Sequence, residues 1–134
     1  MRDIEFRGKH TDSGLWVYGY VAEISTYGVA GHRIVVGIYE KPKKEFYGNW
    51  WEVDPDTVGQ YTGLSDKNGT KIFEGDIVLL KGYEDPYQVV FDESCFLVYS
   101  DSVRYAMDNF YDYEIEVIGN IYDNPELLGG NNNG

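Results

Sequence analysis

Short apolar runs, separated by turn residues, extend along most of the chain. Ile4 and Phe6 alternate with charged residues, and this period of two is typical of a strand. Most later runs combine β-branched and aromatic residues, which favour strands. We therefore predict strands at 15–24, 33–39, 58–64, 77–80, 87–91, 95–99 and 114–121, and an aromatic segment at 46–53. The pattern at 103–110 fits either a short helix or a strand.

Turn residues mark the ends of these runs. Residues 66–69 (Asp-Lys-Asn-Gly) predict a tight turn, because Asn and Gly most easily accept a positive φ. Residues 74–76 (Glu-Gly-Asp) predict a second turn before an apolar strand. Gly19, inside a strand, indicates a bulge or a close approach of another backbone. Asn124 before Pro125 predicts the N-cap of a single helical turn.

These patterns predict a mainly β protein. No amphipathic helix longer than two turns and no repeat of fixed period is visible. We expect a small β-barrel preceded by an N-terminal β-rich lobe, which is either all β or α+β. The expected division is a lobe at 1–53, a barrel region at 54–128 and a flexible tail at 129–134, unless lobe and barrel form one integrated domain.

Composition agrees with a folded chain of this size. The 134 residues are 43% hydrophobic and 16% aromatic, which is too apolar for an acidic disordered chain. That length is sufficient for a hydrophobic core without disulfides or metals. One compact domain, or two small lobes, is the expected organisation.

The charge is strongly negative and unevenly distributed. The net charge is -12, with +1 in residues 1–50 and -13 in residues 51–134. Binding to nucleic acid or to an anionic membrane needs clustered Lys and Arg, so neither is expected as a general partner. The exclusion is firmer for the barrel region than for the lobe, which carries Lys41, Lys43 and Lys44.

The single cysteine and the absence of long apolar runs bear on the cellular compartment. Cys95 has no partner for an internal disulfide, and we expect it to be buried and inert in its apolar run. The sequence shows neither a signal peptide nor an 18-residue apolar span. We therefore expect a cytoplasmic protein.

The familiar catalytic motifs are missing. Two histidines and one cysteine are too few for an ordinary zinc site, and residues 66–77 fail the calcium-loop pattern. No nucleophile elbow and no phosphate-binding loop occur. We therefore expect no cofactor and no enzymatic activity. A metal-dependent hydrolase that uses the carboxylates of Asp54, Asp56, Glu74 and Asp76 stays as an alternative, although turn chemistry explains both pairs.

The 22 aromatic residues have several possible uses. Core packing and cross-strand pairs account for most of them. Stacking on nucleic-acid bases is disfavoured because few cations lie nearby in the sequence. A protein-binding surface is the next interpretation, since Tyr and Trp are enriched at interfaces. The aromatic residues considered for such stacking are Trp50, Trp51, Tyr83, Tyr87, Tyr99, Tyr105, Phe110, Tyr111 and Tyr113.

Several blocks in a fixed order resemble the YopX family of phage and prophage proteins. They are 1–7 (Met-Arg-Asp-Ile-Glu-Phe-Arg), 16–19 (Trp-Val-Tyr-Gly), 53–64 (Val-Asp-Pro-Asp-Thr-Val-Gly-Gln-Tyr-Thr-Gly-Leu), 66–69, 72–78 (Ile-Phe-Glu-Gly-Asp-Ile-Val) and 118–127 (Ile-Gly-Asn-Ile-Tyr-Asp-Asn-Pro-Glu-Leu). The resemblance covers all but the tail. It implies a small phage or prophage protein of the bacterial cytoplasm, with an SH3-like β-barrel towards the C-terminus, and it implies no activity.

Polar residues beside the glycines of these blocks are the candidate binding residues. Each could line a groove between the lobes or satisfy buried backbone groups. They are Thr57, Gln60, Tyr61, Thr62, Glu74, Asp76 and Asn120.

The leading functional hypothesis is a non-enzymatic phage accessory protein that binds a host or phage protein. A rival is an acidic DNA mimic that inhibits a host nucleic-acid enzyme, which predicts carboxylates in two rows on one face. The metal-dependent hydrolase is the third hypothesis. No direct nucleic-acid contact is expected for the barrel, and no membrane partner.

Overall fold

A computed structural model describes residues 4–28, 31–39, 50–101 and 103–129. These residues form eleven strands and four 3-10 turns, and they contain no α-helix. The strands are β1 (Phe6–Lys9), β2 (Trp16–Gly28), β3 (Gly31–Tyr39), β4 (Trp50–Val53), β5 (Gly59–Ser65), β6 (Lys71–Phe73), β7 (Asp76–Leu80), β8 (Tyr87–Asp92), β9 (Cys95–Ser100), β10 (Val103–Ala106) and β11 (Ile115–Asn120). The 3-10 turns are Pro55–Thr57, Met107–Asn109, Asp112–Glu114 and Pro125–Leu128.

Every strand pairing is antiparallel, which confirms a mainly β fold. One sheet has six strands in the order β4-β3-β2-β1-β5-β6, and the other has five in the order β10-β9-β8-β7-β11. The chain divides into two compact units, Met1–Gln60 and Tyr61–Gly134. The expected domains at 1–53 and 54–128 stay a prediction.

The first unit consists of hairpins that follow one another along the chain. β1 pairs with β2, β2 with β3, and β3 with β4, while β1 also pairs with the start of β5. Ile38 and Val53 are fully buried, and Gly8 lies against both, since a Cβ added there would meet their side chains at 3.0–3.2 Å. The sequence pattern of the first unit was therefore interpreted correctly as β.

Gly19 confirms the predicted close approach of another backbone. A Cβ at this position would overlap the carbonyl oxygen of Tyr39 on β3, next to Ile38 Cγ2 at 3.2 Å. The pair of strands can form only because residue 19 has no side chain.

The second unit is a meander of four strands with a fifth strand returning to the first. β7 to β10 pair in sequence, and β11 pairs with β7 on the opposite side from β8. A cluster of buried apolar side chains forms a core in this unit. Its buried members are Ile72, Val78, Leu80, Tyr87, Val89, Val98, Met107 and Ile115.

The predicted β-barrel is not closed in the described part of the chain. β10 and β11 are the two edges of the five-stranded sheet and do not pair with each other. β10 has only four residues and runs into the 3-10 turn Met107–Asn109. The edge strand β10 ends where this turn begins, and the side chain of Met107 is buried in the core.

Three local predictions have clear outcomes. The undecided segment 103–110 is the strand β10 followed by a 3-10 turn. The predicted burial of Cys95 is wrong, because this residue is exposed at the tip of the β8–β9 hairpin, opposite Asp92. Pro125–Leu128 forms the predicted helical turn, but the Asn124 side chain does not cap it and instead accepts the N–H of Asn120.

Some predictions lie outside the described residues. These are the lysine cluster at 41–44, the beginning of the aromatic segment 46–53, and the tail from 130 to 134. Within the described ranges, none of the helices is long and apolar enough to cross a membrane.

Candidate functional site

Thr57, the first predicted site residue, is buried and supports a turn. Its hydroxyl donates to the carbonyl oxygen of Asp54 at 2.6 Å and accepts the backbone N–H of Lys9 at 2.9 Å. Both contacts lie within the first unit. The first closes the turn after β4, and the second joins that turn to β1. Gln60, at the end of this unit, is opposite Phe6 in the β1–β5 pair.

Tyr61 and Thr62 lie at an irregular part of the β5–β6 pair. The Thr62 hydroxyl donates to the carbonyl oxygen of Ile72 at 2.8 Å and accepts the N–H of Leu64 at 3.1 Å. The Tyr61 ring packs on Phe73 with 5.4 Å between centroids. Thr62 therefore satisfies backbone groups where the ladder is interrupted.

Asp76 and Asn120 face each other at the ends of β7 and β11. The buried Asp76 carboxylate accepts the N–H of Phe73 at 2.8 Å, across the turn that contains Glu74. The Asn120 side-chain oxygen accepts the N–H groups of Tyr122 and Asp123. These two polar residues therefore hold turns, and the structure does not show a ligand site at them.

The four carboxylates of the hydrolase hypothesis belong to two separate turns. Asp54 accepts the N–H of Asp56 at 3.0 Å, within its own turn. Asp76 likewise accepts a nearby backbone N–H. Across the described ranges, no group of three or more His, Cys, Asp or Glu residues lies close enough to hold a metal ion.

Asp66 is a structurally important residue that the sequence indicated only as part of a turn. It is buried, and its carboxylate accepts three backbone N–H groups, from Asn68, Thr70 and Val117, each at 2.9 Å. Burial raises the pKa of this carboxyl. The three N–H donors and Lys67 lower the pKa, and their combined effect is larger than that of burial, so the pKa lies below its ordinary value.

The second unit has an open groove whose lining includes two tyrosines. Its volume is about 400 Å³, within the roughly 300–1,000 Å³ that is typical of ligand pockets. We call it the tyrosine groove. Its lining includes Lys67, Leu79, Lys81, Tyr83, Tyr113 and Glu116.

Four residues that line the tyrosine groove belong to paired strands. Ile115 is opposite Leu80, and Glu116 is opposite Leu79, in the ladder between β11 and β7. Lys67 Nζ lies 3.4 Å from Glu116 Oε1, which balances their charges.

Tyr83 lines the groove and belongs to a cluster of aromatic rings. Its ring centroid lies 5.5–6.0 Å from the centroids of Tyr87, Tyr105 and Phe110, mostly in edge-to-face geometry. Burial raises the pKa of the Tyr87 hydroxyl, and the neighbouring Tyr105 and Asp85 raise it further. These contacts hold Tyr83 in place although 40% of its surface stays exposed.

Tyr113 also lines the groove, and its ring is stacked on that of Tyr111. The two rings are nearly parallel, with 5° between their planes and 5.4 Å between centroids. Tyr113 is 58% exposed, and Tyr111 is 66% exposed. The Lys81 ammonium lies 5.9 Å from the Tyr113 ring centroid, at the distance of a cation–π contact.

Exposed carboxylates are next in sequence to both tyrosines of the groove. Glu84 and Asp85 follow Tyr83, and Asp112 precedes Tyr113. The second unit as a whole has fourteen acidic and four basic side chains, a net charge of -10. The two tyrosines therefore lie in a unit whose net charge gives a negative electrostatic potential.

The carboxylates of this unit are not confined to one end of the sheet. Glu84 and Asp85 lie in the β7–β8 loop, whereas Asp92 and Glu93 lie at the β8–β9 turn. β8 separates these groups by five residue steps of about 3.4 Å, or roughly 17 Å. Whether the carboxylates form the two rows on one face that a DNA mimic requires stays a prediction.

Comparison with known proteins gives a match over nearly the whole chain. A family model described as "YopX protein" matches residues 5–129. The chain belongs to the YopX family. No curated protein matches it.

Two solved structures share the YopX fold seen here. Protein EF1440 from Enterococcus faecalis is 23% identical, with a TM-score of 0.54, and the alignment covers 95% of this chain and 99% of that one. Protein yopX from Bacillus subtilis is 19% identical, with a TM-score of 0.54 and coverage of 97% and 98%. These likenesses show the fold.

Proposed function

We propose that this YopX protein is a non-enzymatic module that binds a protein partner in its tyrosine groove. One observation carries the proposal: Tyr83 and Tyr113 line the same open groove and are 40% and 58% exposed. Tyrosine is enriched at binding hot spots because a rigid ring with a hydroxyl gives much contact area for little lost entropy.

The rings of Tyr83 and Tyr113 are already packed against other rings in the protein without a partner. Tyr83 is packed in the aromatic cluster and Tyr113 is stacked on Tyr111. Binding therefore needs little ordering of these side chains, which favours affinity. The predicted polar residues Thr57, Thr62, Asp76 and Asn120 support turns in this proposal and are not contact residues.

The strand order of the second unit supports a finer description of its fold. A four-strand meander whose first strand also pairs with the fifth, with 3-10 turns between the last two strands, is the order of SH3-like domains. We infer an open SH3-like sheet, carried by a phage or prophage accessory protein that works in the bacterial cytoplasm. Function is argued here from the groove, since one fold serves many functions.

The proposal is tested by affinity capture from bacteria infected with phage, followed by crosslinking mass spectrometry. We expect a protein captured by the wild-type chain, with crosslinks at Lys81 or Lys67, and at least tenfold less of it with the double variant Tyr83→Ala/Tyr113→Ala. Tyr99→Ala is the matched control, because Tyr99 is an exposed tyrosine of the same unit that does not line the groove.

Equal capture by the double variant and the control would overturn the proposal. Circular dichroism of each variant shows whether it is folded. Tyr113 is largely exposed, whereas Tyr83 packs against other rings, so the double variant is expected to lose some stability and to keep the fold.

A further inference from the structure

We infer that Asp66 and Lys67 close one edge of the five-stranded sheet and so prevent a second copy of the chain from pairing its own sheet there. We call these two residues the edge plug. The inference goes beyond the proposed function, because it concerns contacts between copies of the chain and not a partner at the tyrosine groove. It follows from the hydrogen bonds along the two edge strands, β11 and β10.

The outer side of β11 is occupied although none of the described strands lies there. The carbonyl oxygen of Ile115 accepts the N–H of Lys67 at 2.9 Å, and the N–H of Ile115 donates to the carbonyl oxygen of Asp112. Two residues further along, the N–H of Val117 donates to the Asp66 carboxylate at 2.9 Å. Alternate residues of a strand direct their backbone groups to the same side. Three of the four groups that Ile115 and Val117 turn away from β7 therefore have partners.

The Asp66 side chain takes the place of a neighbouring strand. One carboxylate oxygen accepts from β11, and the other accepts the N–H groups of Asn68 and Thr70, each at 2.9 Å. Only 4% of Asp66 is exposed. Hydrogen bonds to a charged acceptor are stronger than neutral ones, so the plug is held firmly by its own turn. A further strand that approaches β11 must break these bonds before it can form its own.

The opposite edge of the sheet, β10, has no such cover in the described part of the chain. Ser100 of β9 is opposite Val103 of β10, and two residues connect them. In a turn of this length the N–H of Val103 points to the carbonyl oxygen of Ser100, so the backbone groups of Arg104 point away from β9. Unpaired groups at a sheet edge are a template for another strand. β10 can therefore accept a strand, whereas β11 cannot.

The two edges together decide which assemblies can form. Pairing β10 of one copy with β11 of the next is a head-to-tail contact that leaves one edge free at each end, so the assembly continues to grow. Pairing β10 with β10 uses the same edge of both copies and stops at two. Because the edge plug covers β11, we expect the wild-type chain to form nothing larger than a dimer through these edges.

The test is size-exclusion chromatography with light scattering of the full chain over a range of concentrations. Asp66→Asn keeps an acceptor for its own turn and places a donor against the N–H of Val117, which disables the plug. We expect assemblies larger than a dimer, whose mass rises with concentration.

Lys67→Pro is a second, independent variant of the plug. It removes the N–H that bonds Ile115, at the second position of the 66–69 turn, where proline is favoured. We expect the same assemblies as for Asp66→Asn. Lys67→Ala keeps that N–H and is the matched control, which should stay at the wild-type size.

The double variant Asp66→Asn/Arg104→Pro identifies the partner strand. Proline at position 104 removes an N–H that β10 directs outwards and leaves the ladder with β9 intact. We expect assembly to need a concentration about tenfold higher or more. Asp66→Asn/Arg104→Ala removes the same side-chain charge and keeps the N–H, so it should still assemble.

Gly19→Ala separates assembly from a general loss of stability, because this residue belongs to the first unit and is far from the plug in sequence. Assemblies of the plug variants that are absent from Gly19→Ala and reduced by Arg104→Pro support the inference. Wild-type size of the plug variants, equal assembly of Gly19→Ala, no effect of Arg104→Pro, or a wild-type chain that itself assembles beyond a dimer overturns it. Circular dichroism shows which plug variant is folded, and the folded variant decides.

Discussion

The Asp66 carboxylate joins residues that are far apart in the sequence of the second unit. It holds the tight turn through Asn68 and Thr70, and it holds β11 through Val117. A charged acceptor for three backbone N–H groups is a strong arrangement, because hydrogen bonds to charged groups contribute more than neutral ones. The turn and the strand are therefore stabilised by one side chain.

We expect Asp66→Asn to lower the free energy of unfolding by about 2–4 kcal/mol at neutral pH, because the amide keeps one acceptor oxygen and places a donor against an N–H. Chemical denaturation measures this loss. The exposed Asp108→Asn is the control and is expected to change stability little. Equal stability of both variants at neutral pH would contradict the role of Asp66.

The same carboxyl predicts an acid dependence of stability. Since its pKa is lower in the folded chain than in the unfolded chain, its contribution is complete above the unfolded value of about 3.9 and is lost as the pH falls through the folded value. Denaturation curves of the wild-type chain and Asp66→Asn should therefore converge as the pH is lowered below about 4. If the difference in free energy of unfolding between the wild-type chain and Asp66→Asn stays constant over that pH range, the stability does not depend on the charge of Asp66.

Gly19 has the opposite character, because its contribution is the absence of an atom. In Gly19→Ala the new Cβ would overlap the carbonyl oxygen of Tyr39, so β2 and β3 must separate locally. We expect a loss of about 2–4 kcal/mol, comparable to other severe overpacking, in denaturant unfolding of the first unit. Val21→Ala, at an exposed position of the same strand, should cost much less.

At the scale of elements, the β8–β9 hairpin has a two-residue turn with unfavourable residues. Asp92 is opposite Cys95, and Glu93 and Ser94 between them have φ values of 51° and 67°. Two consecutive positive φ angles define the type I′ turn, for which Asn-Gly is the preferred pair. The hairpin is thus formed in spite of its turn sequence, by the strands that it connects.

Replacing the turn pair should stabilise the hairpin. We expect Glu93→Asn/Ser94→Gly to raise the free energy of unfolding by about 1 kcal/mol, since the left-handed conformation is unfavourable for ordinary L residues. Thermal unfolding measures the change. Glu84→Asn, which removes the same charge from another exposed loop, separates the turn effect from the charge effect. If the double variant has a lower melting temperature than this control, the turn residues Glu93 and Ser94 do not destabilise the hairpin.

For the whole molecule, local patterns predicted the strands well, whereas contacts between distant residues were not accessible. Gly19 was predicted to allow a close backbone approach because a glycine within a strand is a local signal. Cys95 was placed wrongly in the core because its apolar neighbours do not reveal that it stands at a hairpin tip, where only Val98 of β9 is fully buried.

The candidate site shows the same limit more strongly. Tyr83 and Tyr113 are thirty positions apart, and only the return of β11 to β7 places them on one groove. The predicted site residues were chosen beside turn glycines, where Thr57 and Asn120 indeed lie, but their polar atoms are engaged by nearby backbone. A sequence pattern marks such a turn without showing which side chains are left for a partner.

The division into two units also separates the natural fluorophores of the protein. All three tryptophans, Trp16, Trp50 and Trp51, belong to Met1–Gln60, whereas eight of the thirteen tyrosines belong to Tyr61–Gly134. Tryptophan emission is therefore an intrinsic label of the first unit alone. The unlabelled, full-length chain can report in one experiment whether a substitution such as Gly19→Ala or Asp66→Asn is felt only in the unit that carries it.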